Sequence, residues 1–295
     1  MRDRDFNVQS TYRYLRLAMP LLVLVLATSV VLQIFAPEPD CWQSSISAYY
    51  YTAARAVFVS TLCAVGTCMI VYQGNTDAED IALNVSGFLA FVVAFVPTTV
   101  DTTCRASNVP LPEELAAAVR NNVTALLVGG GVVVATAWLI RRLSPSTPTK
   151  GPLAKWPLVA TSVALGVGAV IFFSWPDAVL DHGHYVAAVT LFVGVVVVVW
   201  MNTRGYSKQD AEAAPPARRY SRLYTAVLVA MIGSFVVIVG AGQALDGFRE
   251  WIFWVEAALI IEFAVFWVIQ TVELWNVRDR GQLRPRQREA LEAAD

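Results

Sequence analysis

Apolar residues occur along this chain in runs of about 20, and polar and charged residues are concentrated in the segments between them. A helix of that length crosses the hydrocarbon core of a bilayer, which is roughly 30 Å thick. The runs are continuous rather than alternating, so they predict helices and not the strands of a membrane barrel. Eight helices are predicted, near residues 17–36, 53–73, 80–98, 113–141, 156–175, 184–202, 220–242 and 250–276. The predicted fold is all-α, a polytopic transmembrane bundle over residues 1–277 with a charged cytoplasmic tail over 278–295.

Composition supports this membrane assignment. Apolar residues make up 56% of the chain and charged residues only 15%, and the mean hydropathy is +0.53. Soluble domains carry about 25% charged residues, so a soluble protein is excluded. The first apolar run follows several arginines, as a secretory signal would, but it ends at Ile34-Phe35-Ala36-Pro37 without a small-residue cleavage pattern. It is therefore predicted to be a retained helix.

Lysine and arginine are divided unequally between the two sets of connecting segments. With the N-terminus in the cytoplasm, 18 of the 22 basic residues lie on the cytoplasmic side, and the other four are Arg55, Arg105, Arg120 and Arg249. Because cytoplasmic loops are enriched in basic residues, both termini are predicted to be cytoplasmic, in a multi-pass protein of the plasma (inner) membrane. The same bias explains the basic tail. The lipid bilayer is therefore the predicted partner, and no nucleic acid is expected.

The segments predicted to lie outside carry the most varied polar groups. The candidate ligand-binding residues there are hydroxyl side chains, one cation, one acid and one imidazole: Ser45, Ser47, Tyr49, Tyr50, Tyr51, Arg55, Asp101 and His184. Tyrosine is common where helices meet the membrane surface. Three consecutive tyrosines on a helix point in three directions, however, so at least one is expected to face the bundle near Arg55.

The last predicted helix carries two acids among aromatic and aliphatic residues. Counted from Glu250, Glu256 lies about 9 Å and Glu262 about 18 Å along the helix, which places Glu262 near the membrane midplane. An ionised carboxylate there is costly, so it is expected to face the interior or to be protonated. Both acids are candidate ligand-binding residues, and the alternative is a structural hydrogen bond or ion pair. Arg55 is the predicted partner of Glu256.

A metal site is the alternative interpretation of the outer segments. His182 and His184 are separated by one residue, so an extended loop would place both on one side. Together with Asp101 and Asp181 they could bind zinc. The chain has only two histidines, so it cannot form the usual His-rich zinc site. The main prediction is that no cofactor is bound.

The four cysteines fall into two pairs. Cys41 and Cys104 are both predicted outside, where disulfides persist, and they are predicted to pair. The bond would close a loop of about 60 residues, worth on the order of 4 kcal/mol. Two free thiols are the alternative. Cys63 and Cys68 lie within the second helix and are predicted to be buried small hydrophobes.

Two stretches carry a family resemblance. The segment Ser45-Ile-Ser-Ala-Tyr-Tyr-Tyr-Thr52, followed by Arg55, and the segment Phe253-Trp-Val-Glu256-Ala resemble signatures of uncharacterised bacterial multi-pass membrane proteins. That resemblance spans most of the chain and implies no activity. A weaker similarity is to ceramidase and progestin-receptor-like membrane hydrolases, which surround zinc with serine, aspartate and several histidines. Here the third histidine is missing.

The leading functional hypothesis is an integral membrane protein whose outward-facing polar pocket binds or moves a small molecule or lipid headgroup. Its candidate lining residues come from three outer segments and the last helix. A metal-dependent membrane hydrolase acting on lipid is the first alternative. A structural or accessory subunit of a membrane complex is the second.

Overall fold

The computed structural model describes residues 2–36, 42–99, 112–143, 154–204, 215–277 and 280. These residues form helices without strands. In chain order the elements are α1 (Arg2–Ile34), a short 3-10 helix η1 (Ser47–Tyr51), α2 (Arg55–Val71), α3 (Asp77–Phe95), α4 (Pro112–Leu143), α5 (Lys155–Ser174), α6 (Pro176–Thr203), α7 (Pro215–Ala244) and α8 (Trp251–Glu273). The predicted all-α bundle of eight helices is confirmed.

Seven of the described helices are long and apolar enough to cross a membrane, and α2, with 17 residues, is shorter. Many large apolar side chains point away from the bundle: Leu24, Val128, Val163 and Val237 are 59–69% exposed. A soluble protein rarely shows so much contiguous apolar surface, whereas lipid solvates it well. The chain is therefore a multi-pass membrane protein.

The predicted start of the sixth helix was wrong. It was placed at residue 184, but α6 begins at Pro176. Proline fits the first turn of a helix because its missing N–H would have no intrahelical partner there. The polar segment from Asp177 to His184, expected to be an extended loop, is therefore helical. The helix α4 begins at Pro112, as its Pro-Glu-Glu start predicted.

Two glycines bring α2 and α3 into close contact. A Cβ added at Gly66 would lie 2.6 Å from the carbonyl oxygen of Gly87, and a Cβ added at Gly87 would lie 2.6 Å from that of Gly66. Only glycine at both positions allows this approach, which small residues permit between membrane helices. Next to this contact lies a core cluster that includes Met69 of α2 and the fully buried Trp267 of α8.

Residues near both ends of the chain meet at one end of the bundle. Arg16 of α1 donates hydrogen bonds to the carbonyl oxygens of Leu274, at 2.7 Å, and Val277, at 3.4 Å. The eight crossings predicted from the sequence, an even number, would require this arrangement. The cytoplasmic placement of that end remains a prediction from the basic residues.

Candidate functional site

The segment between α1 and α2 is folded back into the bundle. From Gln43 onward it is largely buried, with Gln43, Ser45 and Ser47 all less than 10% exposed. The backbone N–H of Phe253, in the first turn of α8, donates to the carbonyl oxygen of Ser44 at 2.9 Å. The segment therefore packs at the N-terminal end of the short helix α2 and is hydrogen-bonded to α8.

All three tyrosines of this segment are buried, at 1–2% exposure. Sequence reasoning expected at least one to face the bundle, and all three do. The Tyr51 hydroxyl donates to the carbonyl oxygen of Thr98 at 2.6 Å. Burial raises the pKa of Tyr49 and of Tyr51 to about 12, so both stay neutral hydrogen-bond donors at physiological pH.

Glu256 of α8 holds the start of η1. Its two carboxylate oxygens accept hydrogen bonds from the backbone N–H and the hydroxyl of Ser47, both at 3.0 Å. The predicted partner Arg55 is not the one found. The carboxylate lies one and a half turns into α8, opposite the N-terminus of η1, where orphan N–H groups need an acceptor. This local need explains why Ser47, and not a cation, pairs with Glu256.

Ser47 and Glu256 form the polar end of a cavity inside the bundle. The cavity has about 80 Å³ of space for the centres of water-sized molecules and is otherwise surrounded by apolar side chains and one threonine. Its walls come from α1, α2, α3, α6 and α8 and include Leu26, Phe58, Val65, Ala90, Val93, Ala188, Phe192 and Phe263. A cavity of this size exceeds the space that one water molecule needs, about 10–15 Å³.

Arg55 lies on the other side of α2, away from this cavity. Its Nη2 donates to the Tyr50 hydroxyl at 2.7 Å, and its guanidinium carbon lies 4.3 Å from the centre of the Tyr50 ring. It faces a separate groove between α2, α3 and α4 that also includes Asn122. Arg55 and Glu256 therefore do not share one pocket.

The two histidines point in different directions. His184 is buried, and its Nδ1 lies 2.6 Å from the carbonyl oxygen of Val96 at the end of α3. His182 and Asp181 are exposed on the same helix. Residues two apart on a helix are about 200° apart, so the expected same-side arrangement of the histidines was wrong. Asp101 lies outside the described residues, and the zinc alternative therefore stays a prediction.

Glu262 lies at the seam between α7 and α8. It is half-buried, and its Oε2 accepts a hydrogen bond of 3.4 Å from the Ser234 hydroxyl. The expectation that it would avoid lipid is met only in part. Cys63 and Cys68 are half-buried free thiols of α2, and Cys41 and Cys104 lie outside the described residues, so their predicted disulfide stays a prediction.

Sequence reasoning missed a buried polar cluster at the opposite end of the bundle. Arg16, counted among the basic residues that set topology, is fully buried. Its Nε donates to the Tyr72 hydroxyl at 3.2 Å, and its Nη1 donates to the carbonyl oxygen of Leu274. Carbonyls at the end of a helix have no intrahelical donor, and a guanidinium close by satisfies them.

Two buried acids complete this cluster. Glu79 accepts from the Asn202 amide at 2.9 Å through Oε1 and from the backbone N–H of Asn75 at 2.8 Å through Oε2. Glu273 binds Arg280 through two contacts of 2.7 and 2.9 Å and also accepts from the Tyr224 hydroxyl. The cluster thus ties together the ends of α1, α3, α6, α7 and α8.

A sequence signal for this cluster exists. Glu79, Leu83, Ser86 and Ala90 recur at helical spacing and form the buried face of α3. An acid in register with a buried stripe predicts a buried acid. The partner of Glu79, Asn202, is 123 residues away, and nothing local connects it to α3.

Comparisons with known proteins identify no relative. No protein-family model, no curated protein and no solved structure matches the chain. The resemblances to uncharacterised bacterial membrane proteins and to ceramidase-like hydrolases therefore stay predictions. What the structure does establish is a multi-pass helical membrane protein with a largely apolar internal cavity and one carboxylate at its polar end.

Proposed function

We propose that this membrane protein binds a small amphipathic molecule in the cavity between α1, α2, α3, α6 and α8. The observation that carries the proposal is the placement of the Glu256 carboxylate in a wall that is otherwise almost wholly apolar. Ligand sites in proteins commonly combine an apolar lining with a few placed polar groups that fix orientation. The cavity has this composition.

The polar end selects the class of ligand. A carboxylate accepts hydrogen bonds at about four positions. Ser47 occupies two of those of Glu256, and the backbone N–H of Ile46 also donates to it. The acceptor capacity that remains suits a hydroxyl or an amino group. An ammonium group would also neutralise the carboxylate, which is expensive to keep charged in a membrane. The expected ligand therefore carries a donor or a positive charge on a short apolar body.

The size of the cavity limits the apolar body. About 80 Å³ of space for the centres of water-sized molecules accommodates a short alkyl chain or a single ring. A complete phospholipid is too large for this space. The proposed ligand is a narrower class than the small molecule or lipid headgroup predicted from the sequence, because it enters a largely apolar interior and not a wide polar pocket.

Filling the cavity tests the proposal. Ala188 lines the cavity from α6, and Ala188→Leu places three more carbon atoms in it. The matched control is Ala178→Leu, because Ala178 is exposed on the same helix. The probe is hexylamine, with hexanol and hexanoate of the same chain length for comparison. The readout is the shift in Tm of purified protein in detergent.

We expect hexylamine at a hundredfold excess over its Kd to raise Tm by roughly 5 °C in the wild type and in Ala178→Leu. Ala188→Leu should lose that shift, hexanol should give a smaller one, and hexanoate none. Equal shifts in all three proteins would show that the amine binds elsewhere. A preference for hexanoate would contradict the role given to Glu256.

A further inference from the structure

A groove lies on the opposite side of α2 from the cavity, between α2, α3 and α4. Its volume is about 730 Å³, and its walls include the apolar side chains of Val59 and Phe95. Arg55 and Tyr50 line the groove together with Asn122 of α4. The groove thus combines one cation with apolar side chains, and it is distinct from the internal cavity.

Tyr50 holds the Arg55 guanidinium in place, and no carboxylate of the described residues neutralises it. It is half-buried, and the Tyr50 ring lies 4.3 Å from its central carbon. A guanidinium has five N–H groups. One of them donates to the Tyr50 hydroxyl at 2.7 Å, and among the residues that the structure describes no carboxylate pairs with Arg55. Within the described part of the chain, the other N–H groups are available to an acceptor in the groove.

The preferred partner of such a group is a phosphate or a carboxylate. The planar fork of donors matches two oxygens of one phosphate, and stacking on an aromatic ring orients the fork. Arg55 is the first residue of α2 and is predicted to lie where this helix enters the hydrocarbon region. Phospholipid phosphates occur at that depth, and their acyl chains extend from it along apolar surfaces.

We propose that this groove binds one phospholipid, with the phosphate on Arg55 and an acyl chain against Val59 and Phe95. Charge complementarity and the apolar continuation of the groove both favour a lipid over a free anion. The groove is open, whereas the internal cavity is too small for a phospholipid. The proposal does not depend on the function proposed for the cavity.

The test is a lipid titration of delipidated full-length protein in detergent, followed by native mass spectrometry. The probes are phosphatidylglycerol, diacylglycerol with the same acyl chains, and inorganic phosphate. We expect one saturable phosphatidylglycerol adduct in the wild type. Arg55→Gln should weaken it at least about fivefold, because charge-assisted hydrogen bonds are lost. The affinity of Arg55→Lys for phosphatidylglycerol should lie between those of the wild type and Arg55→Gln, since lysine keeps the charge without the planar fork of donors.

Arg120→Gln is the matched control, because Arg120 is exposed on α4, does not line this groove, and has no aromatic contact of its guanidinium in the described part of the chain. It should bind like the wild type. If Arg55→Gln does not fold, Arg55→Lys and Tyr50→Phe provide the test. Tyr50→Phe removes only the hydroxyl that orients the guanidinium. Unchanged affinity in both, equal binding of diacylglycerol, or competition by inorganic phosphate at similar concentration would each overturn the proposal.

Discussion

The contact between Ser47 and Glu256 gives the sharpest prediction about stability. Both hydrogen bonds of this contact join the start of η1 to α8, at 3.0 Å each. A hydrogen bond to a charged group contributes about 1.5–3 kcal/mol. Ser47→Ala removes the hydroxyl bond and keeps the backbone bond, so it should cost about 1.5–3 kcal/mol. Glu256→Ala removes both and should cost about 3–6 kcal/mol.

The double variant tests whether these costs come from the same contact. Once Glu256 is absent, the Ser47 hydroxyl has no carboxylate to bind, and removing it should add less than about 0.5 kcal/mol. The coupling energy should therefore nearly equal the cost of Ser47→Ala alone. The measurement is thermal unfolding of the purified protein in detergent, where Ser47→Ala should lower Tm by on the order of 5 °C.

Thr28→Val is the control for loss of a hydroxyl group. Thr28 is exposed on α1 and donates only to the carbonyl oxygen of Leu24, one turn earlier in the same helix. Its change should stay within about 0.5 kcal/mol. Additive costs of Ser47→Ala and Glu256→Ala would refute the reasoning, because they would show that the two groups stabilise the fold independently.

Two further predictions concern packing and the polar cluster. Gly66→Ala should destabilise the bundle by about 1–3 kcal/mol, because the new Cβ would lie 2.6 Å from the Gly87 carbonyl oxygen. Gly131→Ala has nothing within 4 Å of its Cβ and should leave Tm unchanged; equal effects would contradict the close contact of α2 and α3. Arg16→Gln should cost about 3–5 kcal/mol in the same unfolding assay, since it leaves buried carbonyl and hydroxyl groups without their charged donor. Arg142 is exposed, and Arg142→Gln should be nearly neutral in the same assay. If Arg16→Gln changed the free energy of unfolding as little as Arg142→Gln, Arg16 would act only as a surface charge.

The fold followed from the sequence because a bilayer leaves few choices. Backbone groups in hydrocarbon must bond within their own segment, so each long apolar run forms a helix. Local chemistry also placed some helix ends well, as Pro112 shows for α4. It failed at Pro176, where the polar residues that follow were interpreted as a loop although proline suits the first turn of a helix.

The sequence did not predict which polar groups are partners of one another. The sequence identified Glu256 and Arg55 as unusual, and opposite charges at similar depth suggested a pair. In the structure they face opposite sides of α2, because the segment before this helix folds back and brings Ser47 to Glu256. That fold-back is a tertiary feature that no local pattern encodes.

The sequence by itself thus determined that this protein lies in a lipid bilayer. It also determined the helices and the residues whose chemistry is unusual for a membrane. Hydrophobicity and helical period are local properties, and a bilayer converts them directly into structure. Only the tertiary structure decided which polar groups meet, because contacts such as Arg16 with Leu274 and Glu79 with Asn202 join residues more than 100 positions apart. The same packing placed Glu256 beside a largely apolar cavity and Arg55 in the wall of a lipid-sized groove.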